Sequence, residues 1–325
     1  MKTIRSAITA TGSFLPEKIM SNADLESIVE TNDEWIFQRT GIRNRHISND
    51  TETAGYMAIK ACERALEMSE YTAADIDGII VATTTADRTF PSVAVKVQHA
   101  IGAPVGIAFD IQAVCAGFVY ALGVADSMIK SGQLKRVLVV GSDRMSSILN
   151  WEDRTTCVLF GDGAGAVLLE AREGTGDKSD TGIHSCILKA NGDYQDILYT
   201  DGGVSTTQES GHIVMLGQEV FKRAVGFLSA IAEEIFTDSD FSAEEIDWLI
   251  PHQANIRIIE SAAKKLSMPM EKVVLTLENH GNTSAASIPL ALDDANRKGK
   301  IKPGELVLFE ALGGGLTWGA ALARF

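Results

Sequence analysis

The sequence predicts an α/β protein built as two similar halves, and three observations carry that prediction. The chain repeats itself: YTAADIDGII from Tyr71 and FSAEEIDWLI from Phe241 lie 170 positions apart, and Val137-Leu138-Val139 and Val307-Leu308-Phe309 keep the same separation. Apolar positions recur in that register too, with Ala54, Ala58, Ala61 and Ala65 matching Ala224, Leu228, Ile231 and Ile235, each set at helical spacing. Short β-branched runs alternate with helical patterns, which implies sheets covered by helices on their faces. At 325 residues, with 45% hydrophobic and 22% charged side chains, the chain is long enough for a sizeable core and unlike disordered, collagen-like or disulfide-scaffold sequences.

In chain order, Thr3 to Thr11 reads as a strand feeding a turn. Met1 to Pro16 lacks the apolar stretch of a signal peptide, so a cytoplasmic location is expected. The Ala54–Ala65 helix, a strand ending at Ile80, the extended run Val105 to Ala113 and the helix from Ala116 to Lys130 follow, then a strand through Val140. Arg172 to Gly182, rich in Gly, Asp, Thr, Lys and Ser, reads as the linker between the halves. Beyond it come the Ala224–Ile235 helix, the strand Asp247 to Ile250, a helix starting near Asn255 and the helix Ser284 to Arg297. The helices 116–130 and 284–297 are apolar over broad faces and are expected to be buried centrally. Pro104 and Pro269 differ by 165, so small insertions separate the matching blocks. No apolar run approaches the roughly 20 residues of a membrane span.

Lys and Arg total 29 against 43 Asp and Glu, a net charge of -14 that argues against nucleic-acid binding and requires a local basic patch for any acidic partner. Cys62, Cys115, Cys157 and Cys186 form no CxxC pair and have no His at ligand spacing, so neither a metal site nor disulfides are expected.

Cys115 sits between an extended run and a helix start, where free N–H groups and the positive dipole end favour a thiolate. A thiol pKa between roughly 3.5 and 7.5 is expected there. Ala116 and Gly117 leave room above it, whereas Cys62 and Cys157 suit apolar packing. His252 ends a strand, where sites of α/β proteins lie, and is the candidate partner of the thiol. His280 belongs to the loop 279–282. Asn282, 167 residues after Cys115, stands near its pseudo-symmetric position, so two facing helix N-termini bring Cys and Asn into one site between the halves. The glycines at 161, 163 and 165 are followed by a strand, which excludes a dinucleotide loop, and Gly313, Gly314 and Gly315 suit an oxyanion hole rather than a P-loop.

The segments TNDEWIFQRTGIRNRHI from Thr31, VCAGFVYAL from Val114, FGDGAGAVLLEA from Phe160, PHQANIRII from Pro251, GNTSAASIPLAL from Gly281 and EALGGGLTWGAAL from Glu310 closely resemble the β-ketoacyl-acyl carrier protein synthase III family, over nearly the whole chain. The resemblance implies a thiolase-like α/β fold with two pseudo-symmetric halves, 1–175 and 176–325, packed as a layered α-β-α-β-α core. It implies a triad of Cys115, His252 and Asn282, with the backbone N–H groups of Cys115 and Gly314 as oxyanion hole. Thr31, Trp35, Arg39 and Arg154 are implied for the adenine and phosphate end of CoA, and Asn255 for the pantetheine. Gln218 stands where the family often has Asn. Phe90, Met145, Phe160 and Leu312 match positions around the acyl chain.

The implied reaction joins acyl-CoA to malonyl-acyl carrier protein, with CoA thioesters as substrates, no cofactor and a homodimeric assembly. Arg257, Lys264 and Lys265 share one helix face and, with Lys222, form the candidate patch for the acidic carrier. A related condensing enzyme of polyketide or signalling-molecule synthesis is the alternative, and a non-catalytic subunit of the same fold is a third. Retention of Cys115, His252 and Asn282 opposes the third.

Overall fold

The structure, a computed structural model, describes residues 3–325. Five strands, in the order Thr3–Phe14, Asp162–Gly174, Arg136–Arg144, Gly78–Ala82 and Ile107–Ile111, form one mixed sheet. A second sheet runs Trp248–Pro251, Leu306–Gly313, Thr317–Arg324, Gly182–Ala190. In each sheet a parallel pair is followed by antiparallel neighbours.

The repeat seen in the sequence is a repeat of elements: strands begin at 78 and 248 and at 136 and 306, and helices at 117 and 287, all 170 apart. Small devices repeat with them. The capping boxes at Thr72 and Ser242 hold equivalent short 3₁₀ turns. The Asp77 carboxylate accepts the Arg136 N–H at 2.9 Å, and Asp247 accepts the Leu306 N–H at 2.8 Å. Between 144 and 162 the first half carries a long insertion, where the second needs only 314–316 to turn from strand to strand.

Alternation along each strand sorts side chains into layers. Val137, Val139, Val307, Phe309 and Ala311 face inward onto the helices Gly117–Lys130 and Ser287–Arg297, which lie between the sheets. Leu138 and Val140 face outward onto Ala54–Met68 and Val93–Ile101. Leu306, Leu308 and Leu312 face outward onto Gly217–Ser239 and Ile256–Lys265. The result is five layers, α-β-α-β-α.

The halves interlock. A Cβ on Gly165 would lie 2.6 Å from the Pro289 backbone, so the helix 287–297 rests directly on the first sheet. Thr11 donates to Asp293 at 2.6 Å, and Arg297 donates to the Thr11 carbonyl at 3.2 Å. The strand expected to stop near Thr11 runs on to Phe14, and the linker is shorter than expected because Asp162–Gly174 continues in strand through Arg172.

Candidate active site

Cys115 lies in a 3₁₀ turn, Val114–Ala116, that leads into the helix Gly117–Lys130. The turn is entered through Val114 at φ 49°, a left-handed conformation unfavourable for a β-branched residue. An equivalent turn, Ser284–Ala286, leads into the second central helix through Ser284 at φ 51°. The structural counterpart of Cys115 is therefore Ala285, 170 residues on, and Asn282 stands three positions before it. This corrects the register expected from sequence, because the turn and not the loop is what repeats.

Asn282 still reaches the site. Its N–H donates to the Leu159 carbonyl at 2.9 Å, and its carbonyl accepts the Gly161 N–H at 3.0 Å. Its Oδ1 accepts the Ser284 N–H at 2.9 Å, which leaves the side-chain NH₂ to donate elsewhere. His252 follows the strand Trp248–Pro251, and its N–H donates to the Glu310 carbonyl at 2.7 Å. Ser287 Oγ accepts the Gln253 N–H at 3.3 Å and lies 2.6 Å from His252 Nδ1. The contact ties down the Nδ1 side of the ring and leaves Nε2 outside it. Gln253 braces this turn from below, donating to the Pro251 carbonyl at 2.8 Å and accepting the N–H groups of Thr276 and Leu277 at 3.0 and 3.2 Å.

Cys115, His252 and Asn282 are 5%, 7% and 6% exposed and line the same cavity of about 690 Å³. Burial sets their charge states. It pushes the Cys115 thiol up to about 12; the Ser284 hydroxyl pulls it down and the nearby Asp143 carboxylate pushes it further up. Loss of hydration, with the Asp143 carboxyl adding to it, moves the thiol in the direction opposite to the one expected at a helix N-terminus. Burial holds His252 neutral, down to about 3.

Trp35 also lines the cavity, with the Arg39 guanidinium 4.4 Å and that of Arg154 5.3 Å from its ring centre. Gln218, Asn255, Arg257, Phe160 and Leu312 also line the cavity. The Asn255 side chain is engaged at both ends, donating to the Arg39 carbonyl at 2.9 Å and capping the helix 256–265 through the Arg257 N–H at 2.9 Å. Lys222, Lys264 and Lys265 are exposed outside it. Gly313 abuts the turn Val114–Ala116 so closely that a Cβ there would come within 2.8 Å of the Cys115 nitrogen, and one on Gly314 would meet the Leu198 carbonyl at 2.8 Å.

Three expected residues lie elsewhere. Phe90 is 81% exposed and outside the cavity of its own chain, because it sits on a surface loop. Met145 is packed into the outer core behind the cavity wall, and Thr31 is set back from the lining with its hydroxyl buried and unpaired.

Two family models match, both for 3-oxoacyl-[acyl-carrier-protein] synthase III: one over residues 109–192 and its C-terminal model over 236–325. A beta-ketoacyl-[acyl-carrier-protein] synthase III of Erythrobacter litoralis is 55% identical over 322 residues, 99% of this chain and 100% of the relative. The chain belongs to this synthase III family. Another member, from Allorhizobium ampelinum, is 54% identical over the same coverage. The crystal structure of 3-oxoacyl-[acyl-carrier-protein] synthase III from Aquifex aeolicus superposes with a TM-score of 0.92 at 46% identity, covering 98% of this chain and 100% of that one. Sequence reading passed over Gln253, Ser287, Ser284 and Asp143, which sit around Cys115, His252 and Asn282 in this synthase III. Their types are common in turns and strand ends, so nothing short of their contacts distinguishes them.

Proposed function

We propose that the chain catalyses the decarboxylative Claisen condensation of a short acyl-CoA with malonyl-acyl carrier protein, yielding β-ketoacyl-acyl carrier protein, CO2 and CoA at the start of fatty acid synthesis. The observation that carries this reading is one cavity lined both by the buried Cys115, His252 and Asn282 and by Trp35 with two arginines beside its ring. An indole and guanidinium groups suit a purine and phosphates, so CoA enters at Trp35 with its thioester toward Cys115. The Cys115 thiol attacks the acyl carbonyl, the C–S bond to CoA breaks, the thiol proton leaves with CoA, and the acyl group remains on Cys115.

Malonyl-carrier then takes the vacated cavity. Nε2–H of His252 and the side-chain NH₂ of Asn282 donate to its thioester oxygen, where charge builds as CO2 leaves. Neutral His252 suits that role, since it has a proton to donate. The carbanion attacks the acyl-Cys115 carbonyl, whose oxyanion is held by the N–H groups of Cys115 and Gly314, and collapse releases the product and the thiolate. The acyl chain runs along Phe160 and Leu312.

The carrier, an acidic protein, docks on Lys222, Arg257, Lys264 and Lys265 in an otherwise acidic molecule. The protein acts in the cytoplasm as a homodimer. In support, Ile107–Ile111 is the free edge of its sheet and is flanked by exposed Phe90 and Val105. From there Phe90 meets an acyl chain only in the cavity of a second copy.

Product analysis by mass spectrometry, with acetyl-, isobutyryl- and longer acyl-CoA each offered malonyl-carrier, tests the reading. The expected products are β-ketoacyl-carrier and free CoA, with the acyl intermediate on Cys115. His252→Ala and Asn282→Ala should each lower malonyl decarboxylation about 10²–10³-fold while acyl transfer persists. Label on Cys62, Cys157 or Cys186 in place of Cys115 would refute the assignment.

A further inference from the structure

Arg43 and Arg45 stand two positions apart in the chain and meet opposite surroundings. Arg43 is 42% exposed and pairs with two carboxylates, Asp33 at 2.8 Å and Glu278 at 3.3 Å. Arg45 is wholly buried, and what its guanidinium meets is neutral oxygen. It donates to the Met20 carbonyl at 3.1 Å, to Asn22 Oδ1 at 2.8 Å and to the Val158 carbonyl at 2.9 Å, while its Nε–H makes no hydrogen bond. Burial lowers its pKa to about 10, which still leaves it a cation at neutral pH. A buried cation held by neutral oxygens is costly to keep, which points to a role beyond stability.

Two of the three partners have other anchors. Met20 pairs with Arg45 along the ribbon of Ile19–Ser21 and Asn44–His46, and Asn22 donates independently to Asp33 Oδ1 and to the Ile42 carbonyl, both at 2.8 Å. The Val158 carbonyl differs, since among the described residues no other group donates to it. Val158, Leu159 and Phe160 line the cavity, and the same stretch holds Asn282 by the two backbone bonds at Leu159 and Gly161. The stem of Arg45 reaches this bridge as well. A Cβ on Gly161 or on Gly281 would come 3.1 Å from the Arg45 Cβ, so the glycine after Phe160 and the glycine before Asn282 both close over it.

We propose that Arg45 is a positioning residue for Asn282: its guanidinium fixes the cavity wall 158–161, and that wall fixes the direction of the Asn282 amide. The proposal rests on the condensation reading above, in which this amide donates to the malonyl thioester oxygen. Arg45 touches neither substrate and acts only through the wall. Asn22 keeps its own hold on Asp33, the first residue of the helix Asp33–Thr40 that carries Trp35 and Arg39, so loss of Arg45 spares the CoA end of the reaction. The signature is therefore one-sided, a loss of decarboxylation without a matching loss of acyl transfer.

The test separates half-reactions. Arg45→Met removes the charge and its hydrogen bonds and keeps most of the buried stem. The kcat for malonyl-carrier decarboxylation should fall about tenfold to 10²-fold, the scale of a misplaced group, with KM little changed, while acylation of Cys115 by radiolabelled acetyl-CoA stays within about threefold of the wild type. Added to Asn282→Ala, the same change should lower decarboxylation by less than about twofold more, because no amide is left to aim. Arg45→Lys keeps a cation in the same space without the planar fork; it should lose about threefold in decarboxylation alone, and it replaces the Met variant if that one does not fold. Equal falls in both half-reactions, or a fully additive loss in the Asn282→Ala background, would overturn the proposal and leave Arg45 a packing residue. Hydrogen exchange read by mass spectrometry needs no substrate. Peptides covering 158–161 and 281–284 should exchange about tenfold faster in the variant while those of 33–40 do not change, and unchanged exchange at both bridging segments would overturn the positioning role. The faster exchange in a protein whose wild type decarboxylates no malonyl-carrier would support the positioning role and count against the proposed reaction alone.

Discussion

The turns Val114–Ala116 and Ser284–Ala286 have nearly the same backbone and opposite chemistry. Both open with a left-handed residue, at φ 49° and φ 51°, and both head a central helix. Such a residue costs on the order of 1–3 kcal/mol, so the duplicated fold bears that strain twice. The first turn presents a thiol, Cys115. The second has Ala285 in that place and supplies its polar groups from Asn282 and Ser284 on the approach. The duplication thus fixes where a backbone can bring groups together, and single side chains decide what each copy does there.

Moving the thiol between copies is the severest way to break the comparison. Cys115→Ala should reduce acyl labelling by more than about 10³-fold, and adding Ala285→Cys should not restore it. Ala285 belongs to the core between the sheets and is absent from the cavity wall. Labelled peptides mapped by mass spectrometry decide the matter, and an acylated residue 285 would make the two turns equivalent.

A gentler contrast lies 170 residues apart on the equivalent strands. Val140 and Glu310 both point outward from their sheets, but Glu310 is 1% exposed, neither of its carboxyl oxygens has a hydrogen-bond partner, and burial pushes it up to about 8. Its raised pKa gives stability present in full below about 4.5, the unfolded value, and lost as pH rises toward 8. The slope is on the order of 1.4 kcal/mol per pH unit at most. Urea unfolding at pH 5 and pH 8 should therefore show a loss that Glu310→Gln removes, and an unchanged loss in that variant would assign it to another group. Buried His252 has the opposite sign, since its lowered pKa removes stability as pH falls from about 6.5 toward 3.

The smallest effect is expected on the helices that follow the paired strands. Val93–Ile101 exposes Val95 near Phe90, whereas Ile256–Lys265 exposes Arg257, Lys264 and Lys265. Reversing Lys264 and Lys265 to Glu should raise KM for malonyl-carrier about fivefold to tenfold at low salt, less at high salt, and leave KM for acyl-CoA nearly unchanged. Equal shifts for both substrates in steady-state kinetics would reduce the patch to a solvated face.

The repeat was legible because burial on both sides of a strand leaves apolar runs that survive divergence, as in Ile79–Ala82 against Leu249–Pro251. The meeting of Cys115, His252 and Asn282 in one cavity was legible through motif resemblance, and the position of Cys115 through its place at a helix start. Its charge state was not, because a thiol's pKa depends on burial and on Asp143, 28 positions away in sequence and adjacent only after the sheets close. The surroundings of Phe90 and Met145 were not legible for a related reason: a motif resemblance matches positions along the chain and does not report which surface a side chain covers.

The bond between Thr11 and Asp293, and the seating of Gly165 against Pro289, have a consequence for synthesis of the chain. The first sheet is complete in sequence by residue 174, yet the helix that covers part of its inner face is translated more than a hundred residues later. A nascent chain stopped at the midpoint therefore lacks the cover that this helix gives Val167 and Leu169, and it carries an open strand edge at Ile107–Ile111. Domains that fold as units fold early on the ribosome, but this one must wait for its C-terminal third, and until then it depends on chaperones or speed to escape aggregation.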